Sequence, residues 1–186
     1  TVCMIPDISA GIIYNEKANE MSEKSLDERI AEFELFLNSV IKNNYLFRPF
    51  RIKQICENVT KVLKEEPHLL KVEGNTIIVG DTHSDMGSVD YCCRKFLEEV
   101  KNGKSIVFLG DYVDRGIEAP GGPNGIKNVM LLFKLKTMFP SQVVLLRGNH
   151  ENEEMNSLYG FWNECCEKYM VLDKEDDVFD DINGVF

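Results

Sequence analysis

Three short apolar runs, Thr76-Ile77-Ile78-Val79, Ser105-Ile106-Val107-Phe108-Leu109 and Val143-Val144-Leu145-Leu146, stand out from a chain otherwise patterned at the period of a helix. Each is rich in β-branched residues or leucine and reaches a glycine within two residues, a pattern that predicts strands buried on both faces. Between the first two, Val89, Cys92, Cys93, Phe96, Leu97 and Val100 recur at helical spacing and Gly103 closes the element. Ile126, Val129, Met130 and Phe133 do the same between the second and third, before Pro140. The order β-α-β-α-β is the crossover unit of a parallel α/β sheet. Upstream, Ser25-x-x-Glu28 reads as a capping box that opens a helix with Leu26, Ile30, Phe33, Leu37, Val40 and Ile41 on one face. A second helix follows Pro49, with Ile52, Ile55, Cys56, Val59 and Leu63 inward, and stops before Pro67.

The strings that leave the strands carry the chemistry. They are Gly80-Asp81-Thr82-His83, Gly110-Asp111-Tyr112-Val113-Asp114-Arg115-Gly116 and Gly148-Asn149-His150-Glu151. Loops at the carboxyl ends of parallel strands gather in one crevice, so three distant strings converge on one site. Asp81 and His83 lie two apart and on a nearly extended segment would aim at one cation, a donor set suited to a divalent transition metal. Asp111 has two oxygens with which to bridge two cations, and Asn149 adds a neutral amide oxygen, so the residues suggest a two-metal centre. Such a pair of ions lowers the pKa of a shared water and clamps a phosphoryl group. His150 is then free to protonate a leaving oxygen, with Asp114 holding its tautomer, and Arg115 offers a planar fork of donors for phosphate oxygens.

These strings resemble the signature motifs of the metal-dependent phosphoprotein phosphatases, the serine/threonine phosphatase family of the calcineurin-like metallophosphoesterases. Leu145-Leu146-Arg147-Gly148-Asn149-His150-Glu151 and Tyr159-Gly160-Phe161-Trp162-Asn163-Glu164-Cys165 extend the likeness over about residues 50 to 186. The resemblance implies an α/β fold, a β-α-β-α-β core that is half of a four-layer α/β/β/α sandwich, preceded by N-terminal helices. Residues 1–48 would be a helical extension and residues 49–186 the front half of a catalytic domain. It implies that Asp81, His83 and Asp111 bind one metal and that Asp111 and Asn149 bind a second, the ions being Mn, Fe or Zn. His150 would be the general acid paired with Asp114, Arg115 and Asn149 would contact the substrate phosphate, and the partners would be phosphoprotein substrates and regulatory subunits.

Three departures from that pattern shape the expectations. Ser84 follows the metal-binding histidine where the family usually has glycine, and a positive φ there would cost of order 1 kcal/mol. Ala119-Pro120-Gly121-Gly122-Pro123-Asn124-Gly125 looks like an insertion, expected to form an exposed loop over Pro120 to Gly125 at the mouth of the site. The chain has only His68, His83 and His150, so two histidines expected further on are missing. The expectation is a front half, by truncation, proteolysis or partial ordering, with which the lack of Met before Thr1 agrees. Such a piece would hold at most one metal tightly and expose apolar surface.

Composition narrows the partners. A net charge of −10 over 186 residues argues against nucleic acid, and no apolar run approaches membrane-spanning length. Six cysteines include the adjacent pairs Cys92-Cys93 and Cys165-Cys166 but no C-x-x-C, which suggests packing thiols in a reducing compartment. The opening residues lack the basic flank of a signal peptide, so the expected localisation is cytoplasmic or nuclear. His68 reads as a surface residue, Arg147 as a structural ion-pair partner, Glu151 as structural, Asn58-Val59-Thr60 as helix and the acidic run Asp173 to Asp181 as solvated surface. Two alternatives remain: a nucleotide polyphosphate hydrolase of the same superfamily, which Glu151 and Tyr159-Gly160-Phe161 disfavour, and a catalytically incomplete binding or regulatory fragment.

Overall fold

The computed structural model describes residues 24–42, 46–72, 74–116, 122–169 and 177–186. Helix α1 (Leu26–Lys42) opens on the capping box: Ser25 N donates to Glu28 Oε2 (2.7 Å) and Glu28 N to Ser25 Oγ (3.3 Å). Helix α2 (Pro49–Lys64) starts on its proline, whose missing N–H is no loss at a helix N-terminus, and ends before Pro67. Both bury the faces read from their periodicity: Ile30, Phe33, Leu37 and Val40 on α1, and Ile52, Ile55, Cys56 and Val59 on α2.

The three apolar runs form one parallel sheet in the order β1 (Thr76–Val79), β2 (Ser105–Phe108), β3 (Val143–Leu145). Ile77 pairs with Ile106 and Ile106 with Val143, while Ile78 pairs with Val107 and Val107 with Val144. Hydrogen bonds Leu109 N to Val79 O and Leu146 N to Phe108 O, both 2.9 Å, carry the ladder one residue past the strand ends. The crossovers run through α3 (Met86–Glu99), which passes into a 3₁₀ turn at Val100–Asn102, and α4 (Gly125–Met138). Asp85 caps α3, accepting from Gly87 N and Ser88 N, and Gly103 closes the turn with φ 75°.

The strands are buried on both faces only in part: Val107 and Val144, on the face opposite Ile106 and Val143, are buried, but the edge of that face is not. Ile106, Phe108 and Val143 enter the main core with the partly buried Ile77, Val79 and Leu145, whereas Ile78 is 69% exposed, Leu109 46% and Leu146 41%. Two right-handed crossovers stepping the same way across a sheet place both helices on the same face, so the other face is covered only around Val107 and Val144.

Helix α4 also departs from the one-faced helix its spacing suggests. Ile126, Val129, Met130, Leu131, Leu132, Phe133, Leu135 and Met138 are all buried, because α1, α2, α3 and β3 pack around it. Its Lys136 is fully buried, paired with Glu66 and donating to the carbonyls of Pro140 (2.9 Å) and Val143 (2.6 Å); burial holds its amine below the ordinary lysine value. After β3 come α5 (Glu153–Tyr159), α6 (Phe161–Tyr169) and α7 (Val178–Asn183). The acidic run is therefore only partly solvated surface. Its early part lies outside the described residues, and its end is α7, capped by Asp177 and burying Val178, Phe179 and Ile182.

Candidate active site

The loops after β2 and β3 cross so closely that glycine is required on both. A Cβ on Gly110, which has φ 108°, would stand 2.2 Å from Gly148 N, and a Cβ on Gly148 would stand 2.2 Å from Asp111 Oδ1. Glu151 locks the crossing, its carboxylate accepting from Asp111 N (2.7 Å), Tyr112 N (2.8 Å) and Gly148 N (2.8 Å). Burial pushes its carboxyl up, while the three N–H groups favour the ionised form. Tyr112 adds a hydroxyl donated to Leu146 O at 2.6 Å. The loop after β1 joins through the Asp111 carbonyl, which accepts from both Thr82 N (3.0 Å) and His83 N (2.9 Å).

One consequence is a set of oxygen and nitrogen donors around His83. Its Nδ1 lies 2.8 Å from the Val113 carbonyl, an acceptor only, so Nδ1 carries the proton and Nε2 presents its lone pair. That Nε2 is buried and has no hydrogen-bond partner. Asp81 Oδ2 and Asp111 Oδ2 each lie 3.9 Å from it. A buried bare nitrogen beside two carboxylates is poorly satisfied as it stands and fits a divalent cation, with the ligating tautomer already set. The segment is not extended, since His83 has φ 32°; the turn brings the histidine beside Asp111. One nitrogen of His150 falls in the same cluster, where one ligand atom each from His83, Asp111 and His150 lie within 4.8 Å of one another.

Beside this cluster, His150 Nδ1 donates to Asp114 Oδ2 at 2.8 Å, and both side chains are buried. The rings of His83 and His150 meet edge to face with centroids 4.7 Å apart. Asp114 also accepts from Asn156 Nδ2 (2.9 Å) on Oδ2 and from Phe161 N (2.9 Å) on Oδ1. Tyr159 packs its ring against His150, centroids 5.2 Å apart, and its carbonyl accepts from Arg115 N (3.0 Å). The Tyr-Gly-Phe string thus has a physical purpose: it holds the dyad and the Arg115 turn from below. Glu164 extends the brace, accepting from Gly125 N (2.8 Å) and Ile126 N (3.2 Å) at the start of α4.

Among the described residues, the non-glycine positions with positive φ are His83, Ser84, Asp111, Asp114 and Arg115, all at this site. Each costs about 1–3 kcal/mol and persists because surrounding bonds over-determine it. Ser84 keeps the left-handed turn despite its side chain (φ 64°), and its buried hydroxyl donates to Asp114 O at 3.1 Å. Asn156, Phe161 N and the Ser84 hydroxyl are supports that sequence reading missed, because each acts through a partner on a distant element.

Of the seven residues named from sequence, Asp81, His83 and Asp111 face one another and Asp114 pairs with His150. Arg115 and Asn149 are exposed on the adjoining turns. Arg147 is exposed and donates from Nε to the Glu151 carbonyl (2.9 Å) rather than forming an ion pair. The expected loop over Pro120 to Gly125 is partly corrected: Gly125 is buried and begins α4, held by Glu164, and Gly122 to Asn124 are half-buried. Pro120 and Gly121 lie outside the described residues. His68 is exposed, and among the described residues no helix is long and apolar enough to cross a membrane.

The family model described as Metallophos, calcineurin-like phosphoesterase, matches residues 74–186. The chain is 34% identical over 131 residues to the serine/threonine-protein phosphatase SIT4 of Candida albicans, covering 69% of this chain and 40% of that protein. It is 34% identical over 121 residues to the serine/threonine-protein phosphatase PP1-1 of Saccharomyces cerevisiae, covering 63% of this chain and 36% of that protein. The chain therefore spans less than half the length of these relatives. A solved structure of a protein serine/threonine phosphatase from Saccharomyces cerevisiae, described as similar to human phosphatase PP5, superposes with a TM-score of 0.64 at 23% identity, over 82% of this chain and 48% of that one, a likeness of fold.

Proposed function

Because this chain belongs to the calcineurin-like phosphoesterases, we propose that it carries the catalytic front of an enzyme hydrolysing phosphoserine and phosphothreonine in proteins. The observation that carries the reading is the bare, buried Nε2 of His83 between Asp81 and Asp111, beside the His150–Asp114 pair. Likeness to named protein phosphatases favours phosphoprotein over nucleotide as substrate.

Asp81, His83 and Asp111 would hold one cation of the Mn, Fe or Zn class, and Asp111 with Asn149 would contribute to a second. When bound, such ions lower the pKa of the attacking water and offset phosphate charge. The chain's own groups do the rest. The Arg115 guanidinium binds phosphate oxygens from its exposed turn. Water attacks phosphorus, the bond to the seryl oxygen breaks, and the protonated His150 delivers its Nε2 proton to that oxygen. Asp114 keeps the Nδ1 proton in place and stabilises the imidazolium, so Nε2 is the end presented.

Hydrolysis of a phosphoserine peptide in ¹⁸O-labelled water by the metal-loaded protein tests this. One solvent oxygen in the released phosphate, with no trapped phosphoenzyme, is the expected result. A covalent phosphoenzyme would refute direct attack by water.

A further inference from the structure

Asn156 stands on α5, six residues after His150, and is fully buried. Its single NH₂ group bridges two acceptors that belong to the same pair: Asp114 Oδ2 at 2.9 Å and the main-chain carbonyl of His150 at 2.6 Å. The oxygen of the same amide is buried without a partner. An unpaired buried amide oxygen is costly, so a side chain selected for packing alone would be apolar here. What this asparagine supplies is its two donor hydrogens.

Those hydrogens act at both ends of the proton donor. Asp114 Oδ2 is shared between His150 Nδ1 (2.8 Å) and Asn156, while Phe161 N holds Oδ1 (2.9 Å), so the carboxylate cannot rotate away from the imidazole. The bond to His150 O fixes the main chain from which that imidazole hangs. Helix α5 is itself tied down, capped by Asn152, which accepts from Glu154 N (2.9 Å), and its last residue, Tyr159, accepts Arg115 N.

We infer that Asn156 is a positioning residue for proton delivery: its amide holds the Asp114 carboxylate and the His150 backbone together, so that Nε2 stays aimed at the leaving oxygen. The rate consequence rests on the phosphoesterase reading above; the geometry does not. Sensitivity to the leaving group separates this role from a merely structural one. A seryl oxygen must be protonated as it leaves, whereas p-nitrophenolate departs as a stable anion.

The experiment compares Asn156→Ala and Asn156→Leu with wild type and with Asn152→Ala, which loosens the same helix without touching Asp114 or His150. Asn156→Leu keeps the branched shape and number of heavy atoms and removes the unpaired oxygen, and so gives a second variant should Asn156→Ala fail to fold. Either Asn156 variant should lose about 10–100-fold more turnover on a phosphoserine peptide than on p-nitrophenyl phosphate, within the range of a general acid. Asn152→Ala should affect both esters equally. Independently of turnover, ¹⁵N spectra of His150 in the metal-free protein should show the Nδ1–H tautomer in wild type and a mixture in the variants. Equal losses on both esters, or an unchanged tautomer, would overturn the inference. If wild type hydrolyses neither ester, the functional reading fails, and the imidazole spectra still decide the role of Asn156.

Discussion

The hydroxyl of Ser84 donates to the main-chain carbonyl of Asp114 over 3.1 Å, and both residues hold left-handed backbone, φ 64° and 67°. The side chain that makes the turn at position 84 costly is thus also a clamp on the residue that orients His150. Two substitutions separate the effects. Ser84→Gly relieves about 1 kcal/mol of strain and loses a bond worth about 1 kcal/mol, so its stability should stay near wild type. Ser84→Ala loses the bond and keeps the strain, and should fall about 1–2 kcal/mol below. Urea midpoints give the order; alanine above glycine would contradict it.

Replacing His150 by Gln should lower turnover on phosphoserine peptide by about 10²–10⁴-fold with metal content unchanged. The imidazole sits within the donor cluster around His83 as well as against Asp114, so metal analysis is the deciding measurement. Loss of bound metal in this variant would make His150 a ligand instead of the proton donor.

Lys136 closes the far side of the core by gathering Glu66, Pro140 O and Val143 O around one buried amine. Lys136→Met keeps the length but strands two carbonyls and a carboxylate, and should cost about 3–5 kcal/mol in chemical denaturation. A variant as stable as wild type would mean that these groups find water.

Stability should decline as pH rises above about 9. Burial pushes the Cys56 thiol up from 9.0 to about 12, and it raises Cys93 and Cys165 in the same direction. These groups keep their protons in the folded state at a pH where the unfolded chain has lost them. Their contribution is therefore full below pH 9 and is lost as pH climbs through the folded values. Lys136, held below its ordinary value, works the other way. Denaturant midpoints between pH 7 and 10 measure the net slope, and slow alkylation of Cys56 in native protein at pH 8 would accompany it.

The strands and first helices were legible because their signals are local. Thr76 to Val79 coincides with β1, and the ladder reaches Leu109 and Leu146 as the apolar runs suggest. Ser25 and Glu28 cap each other within one turn. The exposure of Ile78 was not legible, since an isoleucine reads the same whether or not its face of the sheet is covered. Helix α7 is six residues long and half acidic or amide, too short for a period to show. At the site, the donors of His83, Asp111, Asp114 and His150 follow from the strings themselves. Asn156 and Phe161 do not, because their meaning lies in an acceptor more than forty residues away.

Helix α4 lies in the middle of the molecule, in contact with α1, α2, α3, α6 and β3. An element wrapped on every side cannot expose its peptide groups by a local breath. Its amide hydrogens can exchange with solvent only when the whole body opens, whereas the last turns of α1 and α2, which end on the exposed Lys42 and Lys64, can fray alone. The protein is thus divided by timescale: a slow, all-or-none interior and a faster periphery of helix ends.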